Sequence, residues 1–237
     1  MSLQDRLSVV EHRIREACGR CGRSEEEIQI IAVTKYTTTK ATEQVLLSGL
    51  THVGESRAQE AQSKWEALQP RGMWHFIGHL QTNKVKEVIG KFEYIHSLDR
   101  LSLMKEIEKK AAGLNVVVNC FIQVNVSGEK SKQGLSPEAL FSFAQEVSRM
   151  KQIRVVGLMT MAPHESDAEA TRPVFRELKR LRDELNTREI FAYPVPHLSM
   201  GMSNDFEVAI EEGATWLRLG SVLVGRGSIQ GFKNGEE

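Results

Sequence analysis

The stretch Ile28-Gln29-Ile30-Ile31-Ala32-Val33-Thr34-Lys35 decides how the chain is read. It is a run of apolar and β-branched residues of strand length, and it closes on one lysine. At the end of a buried parallel strand a lysine is half dry and half exposed. Burial disfavours the charged amine, and a neutral amine can attack a carbonyl. The plainer reading is a lysine whose stem lies along the core while its head stays in water. The rest of the chain has to separate the two.

Working outward, the same pattern recurs. Strands are expected at Thr51–Glu55, Met73–Ile77, Phe92–His96, Val116–Val126 (the longest), Ile153–Met159, Pro194–Ser199 and Ala214–Leu219. Helical segments fall between them. Thr37-Thr38-Thr39 offers N-cap hydroxyls for a helix through Leu47, and others are expected over Ser56–Leu68, Asn83–Ile89 and Pro173–Leu185. Asp99 is read as the cap of a helix carrying Leu101, Met104, Ile107 and Ala111, and Ser136-Pro137 as a further helix start. An amphipathic helix over Leu3–Ala17 precedes the first strand, with Leu7, Val10, Ile14 and Ala17 on one face. Eight strands alternating with helices mean a parallel sheet with helical crossovers. Eight units in 237 residues predict a single (β/α)8 TIM-type barrel over 1–237, with an extra N-terminal helix. A doubly wound open sheet is the alternative. It is weakened because no G-x-G-x-x-G follows the first strand.

Composition narrows the function. The 31 basic and 31 acidic side chains cancel, which argues against bulk nucleic-acid or membrane-surface binding. The N-terminus has no signal-peptide pattern and no apolar run approaches a membrane span, so a cytoplasmic protein is expected. Three cysteines are too few for a disulfide framework. Cys18 and Cys21 form a C-x-x-C without a second ligand pair, and read as a glycine-rich helix end. His75, His79, His96 and His197 lack metal spacing. His79 falls near the strand ends, whereas the others read as hydrogen-bonded core.

In a barrel the chemistry sits at the C-terminal strand ends. Here those ends carry Lys35, Gly54-Glu55-Ser56, Gly78-His79, Ser97, Asn125 and Ser127, and Met159-Thr160. Ser199-Met200-Gly201-Met202-Ser203 and Arg218 with Gly220-Ser221 complete the set. The last two loops offer hydroxyls, a close-approach glycine and backbone N–H groups, in the position where this fold often binds phosphate. Asp205 and Glu207 place negative charge beside the first of them, which assigns the anion to the loop itself. Arg218, inside Trp216-Leu217-Arg218-Leu219, must find a buried partner or reach the mouth. A phosphate cradle, an imine-competent lysine and a buried arginine on one face suggest pyridoxal phosphate (PLP).

The residues then carry a resemblance. Ala32-Val33-Thr34-Lys35, Val53-Gly54-Glu55 and Trp74-His75-Phe76-Ile77-Gly78-His79-Leu80-Gln81-Thr82-Asn83-Lys84 are similar to segments of the pyridoxal phosphate homeostasis proteins. So are Gln123-Val124-Asn125, Lys132-Gln133-Gly134, Gly157-Leu158-Met159, Leu198 through Asp205, and Arg218-Leu219-Gly220. The barrel of that family is related to the N-terminal domain of alanine racemase. The resemblance implies that Lys35 carries PLP as an imine and that Ser199, Gly220 and Ser221, with Ser203 alongside, hold its phosphate. It implies that Arg218 faces the ring nitrogen. It also implies a role in vitamin B6 and amino-acid homeostasis with little or no catalysis, with amino acids or apo PLP enzymes as further partners. A monomer is expected. Family members often carry asparagine where this chain has Ser56. The alternative is an amino-acid racemase of the alanine racemase type. That enzyme's second domain is not expected in a chain of 237 residues, and of the three tyrosines only Tyr36 adjoins Lys35. A phosphosugar enzyme using a Lys35 Schiff base is a third reading. Lys130 and Lys132 read as loop charges near the mouth.

Overall fold

A computed structural model describes residues 1–68, 71–129, 132–163 and 167–225. Eight parallel strands close into a barrel in sequence order. They are β1 (Gln29–Val33), β2 (His52–Glu55), β3 (Met73–Phe76), β4 (Tyr94–Leu98), β5 (Val118–Gln123), β6 (Ile153–Met159), β7 (His197–Ser199) and β8 (Trp216–Leu219). β1 pairs with β8 through Ile31 and Arg218, which completes the ring. No sheet edge is left open, so every strand has a partner on both sides.

The helices lie outside. α1 (Leu3–Cys21) precedes the barrel, followed by α2 (Thr39–Leu47), α3 (Ala58–Leu68), α4 (Val85–Val88), α5 (Leu101–Leu114), α6 (Leu140–Val147), α7 (Arg172–Thr187), α8 (Phe206–Glu211) and α9 (Ser221–Val224). None of the described helices is long and apolar enough to cross a membrane. α1 runs through the C-x-x-C and stops at Gly22, which takes the left-handed conformation at φ 68°. Both cysteines are therefore helical, and both are free thiols. Thr38 is the N-cap of α2, accepting from the Ala41 amide at 3.1 Å. α1 packs along α8 and α9. Arg13 and Arg20 pair with Glu207 and Glu211 there, and Arg172 of α7 joins them through Glu211 and Glu212.

Several expected boundaries move. β5 is shorter than Val116–Val126, and β6 with seven residues is the longest strand. The cause is the segment around Leu135, which returns to the barrel. The Leu135 amide donates to Gln123 O and the Asn125 amide donates to Leu135 O, so the ladder ends at Gln123. Asp99 is not the cap of α5. Arg100 holds that position, and Asp99 accepts from its guanidinium at 2.6 Å. β7 begins at His197 instead of Pro194, as expected of a residue with no N–H for the ladder.

Strand side chains alternate between the helix layer and the barrel interior. The helix-facing set forms the large core, with Ala32, Val53, Ile95 and Leu217 on the strands and Phe175, Leu178 and Leu181 on α7. The interior holds a separate cluster of Ile31, Phe121, Met159 and Trp216, with Tyr94 packed against it. Gly157 makes room for it. A Cβ there would lie 2.5 Å from Phe121 and 2.4 Å from His197 O.

Candidate functional site

A cavity of about 600 Å³ opens at the C-terminal ends of the strands. Lys35, Ser203, Arg218, Gly220 and Ser221 line it, as do Ser56, His79 and Gln123. Five of the six residues singled out from the sequence thus share one space. Lys35 is half-buried, with its Nζ 5.1 Å from the centre of the Tyr36 ring.

Behind Lys35 the strand end is clamped. Lys64 reaches in from α3 and donates to Thr34 O at 2.6 Å and to Glu55 Oε1 at 2.9 Å. Thr34 Oγ1 also donates to Glu55 Oε1, at 2.6 Å. Glu55 has no exposed surface and Lys64 is 5% exposed. Burial pushes the Glu55 carboxyl up, against the pull of Lys64 and the Thr34 hydroxyl. This pair is not among the residues that the sequence singles out. The available signal was Lys64 on the face that buries Ala58, Ala61 and Leu68.

The loops after β7 and β8 are tied together. Ser203 Oγ accepts from the amides of Gly220 and Val222 at 3.3 and 3.4 Å. Asp205 Oδ1 accepts from the Met202 amide at 2.6 Å. Gly201, read from the sequence as a close-approach glycine for an anion, serves packing instead. Its φ is 90° and a Cβ would sit 2.6 Å from the Ala209 side chain. Gly220 differs, because a Cβ there would meet only Val33, at an ordinary 3.6 Å. The protein's own packing leaves that surface free for an occupant.

Ser199 is placed otherwise than expected. Its side chain is fully buried and does not line the cavity. It accepts a hydrogen bond from Arg218 Nη1 at 2.7 Å. As the last residue of β7 it pairs in register with the interior residues Met159 and Trp216, two positions before Arg218 on β8. Arg218 Nη2 donates to Thr160 O at 2.9 Å. A guanidinium has five donors, and these two bonds leave others for the cavity. Burial lowers the Arg218 pKa to about 10, with Asp205 opposing, so the group is a cation at neutral pH.

Below Arg218 runs a row of histidines. His96 Nδ1 lies 3.0 Å from Ser199 Oγ, and His96 Nε2 lies 2.9 Å from His75 Nδ1. His75 Nε2 lies 3.0 Å from His52 Nδ1. His75 and His96 are fully buried, as expected of hydrogen-bonded core, and burial holds both well below the ordinary imidazole range. His52 was not singled out from the sequence. The readable signal was that His52, His75 and His96 fall on the interior parity of three successive strands. Among the described residues no His, Cys, Asp or Glu group is arranged to hold a metal. Lys132 is paired with Glu129 at 2.8 Å, and Lys130 lies outside the described residues.

The chain is similar to known proteins over nearly its whole length. Residues 6–227 match the family model described as the N-terminal domain of alanine racemase. The pyridoxal phosphate homeostasis protein of Aquifex aeolicus is 46% identical over 226 residues, covering 95% of this chain and 98% of that one. Its namesake in Pseudomonas aeruginosa is 37% identical, covering 94% and 95%. PipY of Synechococcus elongatus, a structure with PLP bound, superposes with a TM-score of 0.82 at 29% identity, covering 94% of this chain and all of that one.

Proposed function

This chain belongs to the pyridoxal phosphate homeostasis protein family, and from that premise we propose that it binds pyridoxal 5'-phosphate and serves PLP and amino-acid homeostasis with little or no catalysis. The observation that carries this is the convergence of Lys35, Arg218 and the Ser203–Gly220–Ser221 surface on one cavity. The residues fit the group, since an amine, a buried cation and an uncrowded glycine surface face the same space. When bound, the cofactor supplies an aldehyde that takes up an amine and a ring that can withdraw electrons.

Each side chain then has a task. Lys35 supplies the amine, and its backbone is held by the buried Glu55–Lys64 pair. The Ser203 and Ser221 hydroxyls, with the uncrowded surface at Gly220, would hold the phosphate. Arg218, a cation at neutral pH that does not readily give up its proton, would face the ring nitrogen. A ring nitrogen served by a retained proton is a weaker electron sink than a protonated one, and this limits chemistry at a bound amino acid. Racemisation also needs a second acid/base group on the opposite face. Tyr94 is stacked on His75 in the interior, and the Tyr193 hydroxyl accepts from the Val155 amide. Only Tyr36 stands near Lys35, and its side chain is exposed. The protein acts as a monomer, with amino acids or apo PLP enzymes as its further partners.

A visible-range titration with PLP tests the proposal. A saturable band in the wild type, absent from Lys35→Ala, supports it, and no band in the wild type contradicts it. A chiral assay with alanine tests the second half. Lys35-dependent turnover at or above ~1 per second, the low end of ordinary enzymes, would favour a racemase.

A further inference from the structure

Arg218, Ser199, His96, His75 and His52 form one unbroken row of hydrogen bonds through the barrel interior. It runs from the cavity to His52, the half-exposed first residue of β2 at the opposite end. Every ring nitrogen of His96 and His75 is engaged in it. We propose that Arg218 sets the direction of this row, so that His96, His75 and His52 are all held as Nε2–H tautomers and act as positioning residues for Arg218.

The Arg218 guanidinium can only donate. Ser199 Oγ therefore accepts from Arg218. Ser199 is fully buried, and among the described residues its hydroxyl has one other partner, His96 Nδ1. If His96 Nδ1 carried a proton, the serine hydroxyl would receive two donors and its own proton would have no acceptor. A buried donor without a partner is costly. Ser199 thus donates to His96 Nδ1. A neutral His96 must then carry its proton on Nε2 and donate to His75 Nδ1. The same step repeats, and His75 Nε2–H donates to His52 Nδ1. The last proton, on His52 Nε2, faces the half-exposed end of the barrel. Burial keeps the two inner rings neutral, as the scheme requires.

Two consequences follow. The guanidinium is held by a chain anchored on four strands, so its remaining donors point into the cavity in a fixed plane. A proton also cannot enter from the far end, because His52 Nε2 is already protonated and His52 Nδ1 is already accepting. The interior of the barrel thus supplies a stationary cation to the cavity and no mobile acid. The bearing of this on PLP rests on the function proposed above, whereas the tautomers do not.

The test uses the full chain free of cofactor, labelled with [15N]histidine, near pH 7.5. Two-bond 1H–15N correlations distinguish the two tautomers, with rings assigned by triple resonance. The Nε2–H form is expected at His75 and His96 with a bias of about tenfold or more, given what an orphaned buried hydroxyl proton costs. In Ser199→Ala the tie to Arg218 is cut, and the bias at His96 is expected to fall toward parity. The Nδ1–H form at either ring in the wild type overturns the proposal, and so does a bias that survives Ser199→Ala. If that variant does not fold, the wild-type tautomers decide alone. Since no cofactor is present, a failure here is separate from a failure to bind PLP.

Discussion

At the residue scale the site divides into groups that touch a ligand and groups that hold those in place. Ser203 and Ser221 line the cavity, whereas Ser199 lies beneath Arg218. Ser203→Ala and Ser221→Ala should each weaken PLP retention roughly 10- to 150-fold, as for loss of a hydrogen bond to a charged group worth ~1.5–3 kcal/mol. Equilibrium dialysis of the variants measures this, and unchanged retention in the double variant would place the phosphate elsewhere. Lys35, Arg218, Gly220 and Ser221 were legible in the sequence because strand-end position alone places a residue at a barrel mouth. The role of Ser199 was not legible. β7 ends at Ser199 as expected, but only the register of that residue beside the interior residues Met159 and Trp216 shows that it points inward.

At the element scale the two kinds of glycine make opposite predictions. Gly157 lies in β6 against Phe121 and His197 O, with no space for a methyl group. Gly157→Ala should cost about 1–3 kcal/mol, the usual penalty of overpacking, seen as a lower urea midpoint. Gly220→Ala should change the unfolding free energy by no more than about 0.5 kcal/mol, as at sites without a packing conflict, and should still weaken PLP retention, because Gly220 lines the cavity. Equal loss of stability in both variants would refute this distinction. Element existence and order were readable from apolar runs separated by caps and glycines. The limits of β5 were not, because Val124 and Val126 are strand-like by composition while the ladder is taken over by Leu135. Such competition from a segment twelve residues on leaves no local trace. The Glu55–Lys64 pair was hidden for a similar reason, since its partners belong to different elements.

At the scale of the whole molecule, two fully buried neutral histidines sit at the centre of a closed barrel. Their folded pKa values are depressed. The stability they contribute is therefore present above the unfolded imidazole value of about 6.5 and is lost as pH falls below it. Each proton refused by the native state costs about 1.4 kcal/mol per pH unit. His52 and His197 are shifted the same way by burial, while the raised Glu55 carboxyl acts in the opposite sense. Urea unfolding should thus show falling stability from pH 6.5 to 5.5, and His75→Phe should flatten that slope. An unchanged slope would mean that His75 takes up a proton in the native state. Barrel closure also brings β1 beside β8, and this sets Lys35 across one cavity from Arg218 although they are far apart in sequence. The most direct test of the proposed function is borohydride reduction of the PLP-loaded protein followed by peptide mapping. The account predicts one stoichiometric pyridoxyl adduct, on Lys35, and none in Lys35→Ala; a stoichiometric adduct on any other lysine would contradict it.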